Sequence, residues 1–295
     1  MGEDPARSRT PCRSHRVERE ATFFCMDDLD LELLLALAWA APLTTAQLHR
    51  LVAPRMTLNG FRGHLNRLAQ TRLVEGTLHY RRSSEQRTTR IGRVWGLTRV
   101  GFQELPDDDR RPAQPAKVRR ALLEHDLTVG ELVSLVIERA RPVVSSVHLE
   151  REVRLDATKP RPRCDAIFVV RHNPAGALDT VGWSQAPATP DEKVRGWAIE
   201  VDRRTEALSI IREKAVRYKA VWNDPGFYQR YGRMPVPLWV VPSAQRGNAI
   251  LKEWFAVWPE GRWLMTTVDR LPDLVFTEYR DGGQRMHSLL AGWGV

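Results

Sequence analysis

Two short hydrophobic segments of the sequence, residues 163–170 and 196–202, carry carboxylates among mostly apolar neighbours. Their β-branched and aromatic residues, bounded by Gly, Pro or charge, predict two buried strands. Alternate side chains of a strand share one face, so Glu200 and Asp202 are expected on the same side. If the strand of Asp165 lies alongside, the three carboxylates converge in the oxygen-rich arrangement that Mg²⁺ requires. The sequence therefore predicts a Mg²⁺ site with Asp165, Glu200 and Asp202 as ligands.

Each of these carboxylates also has a structural interpretation. A buried carboxylate needs a cation or strong hydrogen-bond donors, so Asp165 and Glu200 are equally candidates for ion pairs with Arg203 or Lys214. Asp202 lies between a strand and a helix expected from about residue 205, where aspartate is a common helix cap. The residues alone leave both interpretations open.

For the other reactive side chains near these segments, a structural role is the favoured interpretation. Tyr218 is a candidate nucleophile, but packing in the core with one hydrogen bond is the favoured interpretation. His125 lies close to a predicted helix start, from which it could approach the site, but a structural histidine is the favoured interpretation. Packing is also favoured over base stacking for three tryptophans, Trp183, Trp197 and Trp222.

Arginine is concentrated in one part of the chain. The 295 residues have a net charge of +9, and 42% of them are hydrophobic, which is enough for a packed core. Between residues 50 and 99, eleven arginines stand against only Glu75 and Glu85, so this segment carries a charge equal to the excess of the whole chain. An anionic partner is therefore expected, with nucleic acid first among the candidates.

The elements that would present these arginines are three helices and a β-hairpin. Periodicity and cap residues predict helices and strands, in chain order, at residues 29–41, 44–51, 57–72, 73–80 and 91–97. This order resembles the winged helix-turn-helix, as do Leu65-Asn66-Arg67-Leu68 and the segment Trp95-Gly96-Leu97-Thr98-Arg99-Val100-Gly101. The resemblance covers residues 28–105.

A winged helix-turn-helix implies binding to double-stranded DNA. Its recognition helix enters the major groove, and its wing follows the phosphate backbone. Eight arginines on or near these elements are the implied DNA-binding residues: Arg55, Arg62, Arg67, Arg81, Arg82, Arg87, Arg90 and Arg93. Winged helices also mediate protein contacts, and in that alternative the arginines only keep the surface solvated.

The rest of the chain alternates strands and helices. Proline and charge without periodicity predict a linker at residues 106–117, and residues 1–27 are expected to be a flexible basic tail. Further elements are predicted at residues 118–139, 143–147, 150–155, 163–170, 196–202, 205–222, 237–242, 244–258 and 262–268, with a loop at 172–195. This alternation predicts an α/β domain at residues 118–295 with a mixed central sheet, and an α+β chain overall.

The order of these later elements resembles the PD-(D/E)xK, or restriction-endonuclease-like, nuclease fold. Asp165 matches the first acidic position of that family and Glu200 the second, whereas Asp202 stands where the family has lysine. The resemblance implies Mg²⁺ as cofactor and Lys214, on the next helix, as a displaced catalytic cation. A carboxylate at position 202 cannot stabilise developing negative charge, so whether the protein is an enzyme stays open.

A narrower resemblance covers residues 28–270. The segment Glu200-Val201-Asp202-Arg203-Arg204-Thr205-Glu206, followed by Lys214 and Tyr218, resembles the replication-relaxation proteins of plasmids and mobile elements, as does Leu123-Glu124-His125-Asp126-Leu127. The resemblance implies a DNA-binding protein that is either a Mg²⁺-dependent DNA nuclease or a non-catalytic accessory factor or transcriptional regulator with a degenerate nuclease fold. Aspartate at position 202 favours the second. A second copy of the chain and replication or conjugation proteins are further candidate partners.

The cysteines and the first 41 residues indicate the cellular compartment of the protein. The three cysteines, Cys12, Cys25 and Cys164, are odd in number and lack metal-ligand spacing. This pattern predicts reduced thiols. The first 22 residues have no apolar core of the kind found in secretion signals, and the apolar stretch at 29–41 is too short to span a bilayer. We therefore expect a cytoplasmic protein without a membrane partner.

Overall fold

The N-terminal part of the molecule consists of helices and a small antiparallel sheet. The computed structural model describes residues 26–82, 88–106, 123–151, 164–172, 182–183, 193–203, 206–224 and 234–290. The first elements are α1 (Asp28–Ala40), β1 (Leu43–Thr44), α2 (Thr45–Val52), α3 (Leu58–Gln70), β2 (Val74–Arg82), β3 (Thr88–Leu97) and α4 (Arg99–Gln103). Strand β3 pairs with β1 on one side and β2 on the other, both antiparallel.

The first three helices begin at side-chain caps that the sequence supplies. Asp27 caps α1 and Thr44 caps α2, each in a reciprocal capping box, and Thr57 caps α3 by accepting a hydrogen bond from the Gly60 amide. Helix α3 buries three apolar side chains at helical spacing, Phe61, Leu65 and Leu68, as the sequence predicts. Its opposite face is therefore fixed toward solvent.

The C-terminal part is built on an eight-stranded mixed sheet with helices on both faces. Its elements are α5 (Leu123–Ala140), β4 (Val144–Arg151), β5 (Ala166–His172), β6 (Gly182–Trp183), β7 (Lys193–Val201), α6 (Leu208–Trp222), β8 (Val236–Val241), α7 (Ala244–Val257), β9 (Arg262–Thr267), β10 (Val275–Arg280) and β11 (Gly283–Ser288). The strand order is β11-β10-β9-β8-β7-β5-β4-β6, and β7, β8 and β9 run parallel. The predicted α/β class with a mixed sheet is confirmed.

Alternate residues of the central strand β8 enter separate hydrophobic clusters. Leu238 and Val240 belong to the cluster that includes α5, whereas Trp239 and Val241 belong to the cluster formed with α6 and α7. Both faces of β7 and β8 are therefore covered, as expected for parallel strands. A carboxylate on these strands has little access to water.

Several predicted boundaries were wrong. The helix expected from residue 205 begins at Leu208, and the predicted loop at 172–195 contains β6 and the first residues of β7. Strands β10 and β11 were not predicted, although they form a hairpin around Asp281 and Gly282, which adopt φ values of 51° and 76°. Asp-Gly between two strands is a strong hairpin signal, so this element was recoverable from the sequence.

Helix α5 joins the two parts of the molecule through α2. The Gln47 side-chain amide donates to the Leu127 carbonyl at 2.8 Å, and Arg50 pairs with Glu131 at 2.5 Å. Arg141 donates to the carbonyls of Arg50 and Leu51, beyond the end of α5. Residues 1–25 of the predicted tail and most of the predicted linker lie outside the described residues, whereas Asp27, also assigned to the tail, caps α1. The domain boundaries otherwise stay predictions.

Two expectations concern membranes and cysteines. None of the helices in the described parts of the chain has the length and apolar character to cross a membrane. Cys164 is buried and takes part in no disulfide within the described residues, whereas Cys12 and Cys25 lie outside them.

Candidate functional site

Glu200 is fully buried near the end of β7. Its carboxylate accepts hydrogen bonds from the Lys214 ammonium at 2.8 Å and from the Tyr218 hydroxyl at 2.8 Å. Both donors lie on α6, one turn apart, so the helix presents them to the same carboxylate. Burial raises the pKa of Glu200 to about 8, against the opposing charge of Lys214.

Lys214 lies between two carboxylates. Its ammonium contacts Glu206 at 2.9 Å as well as Glu200, and it stands 5.5 Å from the centre of the Trp239 ring. Burial disfavours the charged form, but the charges of Glu200, Asp165 and Glu206 outweigh it, so the pKa of Lys214 lies above its usual range. Lys214 is therefore a permanent cation within this cluster.

Asp165 lies just before β5 and is held by the neighbouring strand and by α5. One carboxylate oxygen accepts the Val201 amide at 2.7 Å and lies 2.9 Å from His125 Nε2. Burial disfavours the charge on both side chains. The carboxylates of Asp126 and Asp165 nevertheless raise the pKa of His125 to about 9, and His125 lowers the pKa of Asp165. The two side chains form a charged pair at neutral pH.

Asp202 has a different partner. Arg246, near the start of α7, donates to it from Nε at 2.6 Å and from a terminal nitrogen at 3.1 Å, and it also donates to the Glu206 carbonyl. The cap of α6 is Ala207 rather than Asp202, so the predicted capping role is wrong. Arg203 pairs with Glu124, not with either predicted carboxylate.

The arrangement of the three predicted ligands can be compared with what Mg²⁺ requires. Among the described residues, one trio of acidic or histidine side chains has ligand atoms within 4.8 Å of one another, and it lies in the N-terminal part: Asp27, Asp30 and His64. Asp165, Glu200 and Asp202 form no such trio, and each is bound by a protein cation of its own. As arranged, these residues do not fit a Mg²⁺ ion that must gather several free oxygen ligands.

The second candidate site is the exposed face of α3. Arg62 is exposed and donates to the Asn59 side-chain oxygen at 3.2 Å. Arg93 of β3 is also exposed and donates to the Asn66 side-chain oxygen at 3.2 Å, while its guanidinium lies 5.4 Å from the Trp95 ring centre. The face carries no carboxylate, since α3 contains no Asp or Glu.

The other predicted DNA-binding arginines differ in their placement. Arg67 is directed to the buried carboxylate of Asp30 at 2.6 Å and to Asp27 at 3.1 Å, so it anchors α3 to the start of α1. Arg55 is exposed just before α3. Arg81, Arg82 and Arg90 lie on the hairpin strands, but their side chains are outside the described set, and Arg87 is outside the described residues altogether.

Sequence reasoning assigned no partner role to two residues that the fold brings to the carboxylates, His125 and Arg246. His125 stands in the helix-start segment already singled out, so its sequence position was a usable signal. Arg246 had none, because an arginine in the first turn of a helix is usually solvated. Among the predicted packing tryptophans, Trp197 is buried and stacks on Phe168 with ring centres 5.7 Å apart.

Comparison with known proteins gave one match. A family model described as Replication-relaxation matches residues 34–236. The matched region runs from α1 to the start of β8 and contains both the exposed face of α3 and the cluster around Glu200. No curated protein and no solved structure matched the chain.

Proposed function

This chain belongs to the replication-relaxation family, and we propose that it acts in plasmid or mobile-element replication as a non-catalytic factor that binds double-stranded DNA. The observation that supports this proposal best is the exposed face of α3, with its guanidinium and amide side chains and no carboxylate. Side chains of these two types are those that contact base edges and phosphates in protein–DNA complexes.

The element order around α3 supports the same proposal. Three helices are followed by an antiparallel hairpin, and β1 pairs with the second hairpin strand. If this unit is a winged helix, α3 is its recognition helix and the β2–β3 hairpin its wing. Arg81, Arg82 and Arg90 then lie along the strands of the hairpin, where a wing meets the phosphate backbone.

The non-catalytic form of the proposal rests on the carboxylate cluster. Asp165, Glu200 and Asp202 are engaged by His125, Lys214 and Arg246, so a divalent cation would have to displace these partners to bind them. The Tyr218 hydroxyl donates a hydrogen bond to Glu200 in the core, and the pKa of Tyr218 is raised well above the ordinary value because the phenol is buried. A nucleophile has to reach the phosphodiester as its anion, so this environment favours a structural Tyr218.

DNA binding is tested by fluorescence anisotropy with the full chain and labelled random-sequence duplexes across a salt series. We expect the logarithm of the association constant to fall linearly with the logarithm of salt concentration, with a slope that reports the number of phosphates neutralised. The variant Arg55→Ala should reduce that slope by about 1 if Arg55 contacts phosphate. Arg212→Ala, an exposed arginine of α6, is the matched control. A salt-independent affinity, or no binding, would contradict the proposal.

A supercoiled-plasmid assay with Mg²⁺ or Mn²⁺ tests whether the factor is non-catalytic. We expect no nicking by the wild-type chain. Nicking by the wild type that is lost in both Asp165→Ala and Glu200→Ala would instead support a metal-dependent nuclease and overturn this part of the proposal. Equal nicking by all three proteins indicates a contaminating nuclease, because the variants lack the predicted ligands.

A further inference from the structure

The exposed face of α3 has a narrow and uniform composition. Spacings of three and four residues place five positions on one stripe about 100° wide, opposite the buried side of the helix: Asn59, Arg62, Gly63, Asn66 and Gln70. All five are exposed. Apart from the glycine, each position carries a guanidinium or a carboxamide, so the stripe can form hydrogen bonds along its whole length.

Both asparagines of this stripe pair with an arginine, one with Arg62 of the stripe and one with Arg93 of the adjacent β3. In both pairs the asparagine oxygen is the acceptor. Asn59 accepts from Arg62, and Asn66 accepts from Arg93, each at 3.2 Å. A guanidinium has five N–H groups, so each arginine keeps donors for a ligand, and each asparagine keeps its amino group. With the asparagine oxygens engaged, the stripe presents mainly donors.

Gly63 is the one position of the stripe that has no side-chain carbon above the helix backbone. A Cβ atom built at this position would meet no atom of the described residues within 4 Å, so packing among those residues does not require glycine. Glycine in a helix interior is less favourable than alanine, so the residue costs stability without a structural reason inside the protein. Close approach of an external ligand to the helix backbone would supply that reason.

We propose that α3 and the adjacent strand β3 read guanine in the major groove, with Arg62 of α3 and Arg93 of β3 as the two reading residues and Gly63 as the point of closest approach. The major-groove edge of guanine offers two acceptors, N7 and O6, and arginine can donate to both at once. The asparagines that accept from Arg62 and Arg93, Asn59 and Asn66, are about 10 Å apart along the helix, which is about three base-pair steps along a duplex parallel to the helix axis. The proposal rests on the proposed binding of double-stranded DNA and adds its base specificity.

The test begins with selection of bound duplexes from a random library by the full chain. The selected sites are then remade with 7-deazaguanine, which lacks the N7 acceptor but still pairs with cytosine. We expect two guanines about three steps apart in the selected sites, and an affinity loss of about tenfold on replacing either guanine by 7-deazaguanine. Arg62→Lys and Arg93→Lys, which keep the charge, should each lose discrimination at one guanine, whereas the control Arg212→Lys should not.

The possible outcomes distinguish guanine reading from the DNA binding on which it rests. Salt-dependent binding without guanine preference, or a preference unaffected by 7-deazaguanine and by both lysine variants, overturns guanine reading and leaves DNA binding intact. Absence of any duplex binding overturns both. Gly63→Ala adds a check against misfolding: its midpoint of thermal unfolding should rise by about 2 °C while affinity for the selected site falls. An unchanged affinity would remove Gly63 from the contact.

Discussion

The exposed stripe of α3 and the buried cluster around Glu200 use basic side chains in opposite ways. In the cluster, His125 and Lys214 are each paired with a carboxylate inside the protein. On the stripe, Arg62 has a neutral amide as its partner, so its charge is not cancelled. The charges of the cluster therefore stabilise the fold, whereas the charge of Arg62 has no carboxylate partner among the described residues.

Arg67 shows that position on a helix does not decide between these uses. It lies on α3 close to the stripe, yet it pairs with the buried carboxylate of Asp30. Arg67 thus belongs with the buried ion pairs in its chemistry and with the stripe only in its sequence position. The difference between the two regions is the partner, and changing single partners is the direct way to test it.

The largest expected effect is on stability, from Lys214→Met. At pH 9, above its raised pKa of about 8, Glu200 is ionised, and the substitution keeps an unbranched side chain but leaves that buried carboxylate without its cation. Removing one partner of a buried ion pair costs about 3–5 kcal/mol, so the free energy of unfolding in urea should fall by that amount. Lys252→Met, at an exposed position of α7, should stay within about 0.5 kcal/mol of wild type.

A double variant sharpens this first prediction. Glu200→Gln removes the charge that Lys214 compensates, so adding it to Lys214→Met should restore part of the lost stability. Equal instability of the single and double variants would show that the loss comes from altered packing on α6. A free energy of unfolding unchanged in Lys214→Met would contradict the buried-pair description itself.

The second prediction concerns pH and His125. The pKa of His125 is raised from 6.5 to about 9 in the folded protein, so its pair with Asp165 stabilises the fold fully below about pH 6.5 and is lost as pH rises through 9. The greatest contribution is about 3 kcal/mol. Glu200, with its pKa raised to about 8, also makes stability fall as pH rises from 4.5 to 8.

Comparison with His125→Gln isolates the histidine, because the Glu200 contribution is common to both proteins. We expect the stability difference between wild type and His125→Gln to shrink from pH 6.5 to 9, measured by urea unfolding in matched buffers. A difference that stays constant over this range would show that His125 does not titrate as part of the pair.

A smaller loss is expected for Tyr218→Phe. The variant keeps the ring that packs against Trp254, with centres 5.4 Å apart, and removes only the hydroxyl that donates to Glu200. Leaving a buried acceptor without one of its donors costs about 1–3 kcal/mol. The urea concentration at the midpoint of unfolding should therefore fall, whereas the slope of the free energy of unfolding against urea concentration should not change. Stability equal to wild type would mean that water or Lys214 replaces the hydroxyl.

The sequence predicted what depends on local pattern. Helical spacing identified the buried side of α3 through Phe61 and Leu65, and the hydrophobic run around Glu200 identified a buried strand. The sequence did not predict which cation meets which carboxylate. Arg246 reaches Asp202 from 44 residues away, and Arg67 reaches Asp30 from 37. Those pairs depend on the packing of α7 on the sheet and on the tertiary placement of α3 near the start of α1, which no local pattern describes.

The smallest effect on stability is expected for Arg62→Ala, a substitution that should nevertheless weaken binding to duplex DNA. Arg62→Ala removes one exposed side chain whose hydrogen-bond partner, Asn59, is also exposed, so the free energy of unfolding should change by less than about 0.5 kcal/mol. Affinity for duplex DNA should nevertheless fall, because the lost charge was available to the ligand. Lys214→Met should show the reverse pattern, with lower stability and unchanged affinity while folded. Anisotropy and urea unfolding on both variants test this directly: a stability loss in Arg62→Ala comparable to that in Lys214→Met would mean that the stripe, too, serves the fold.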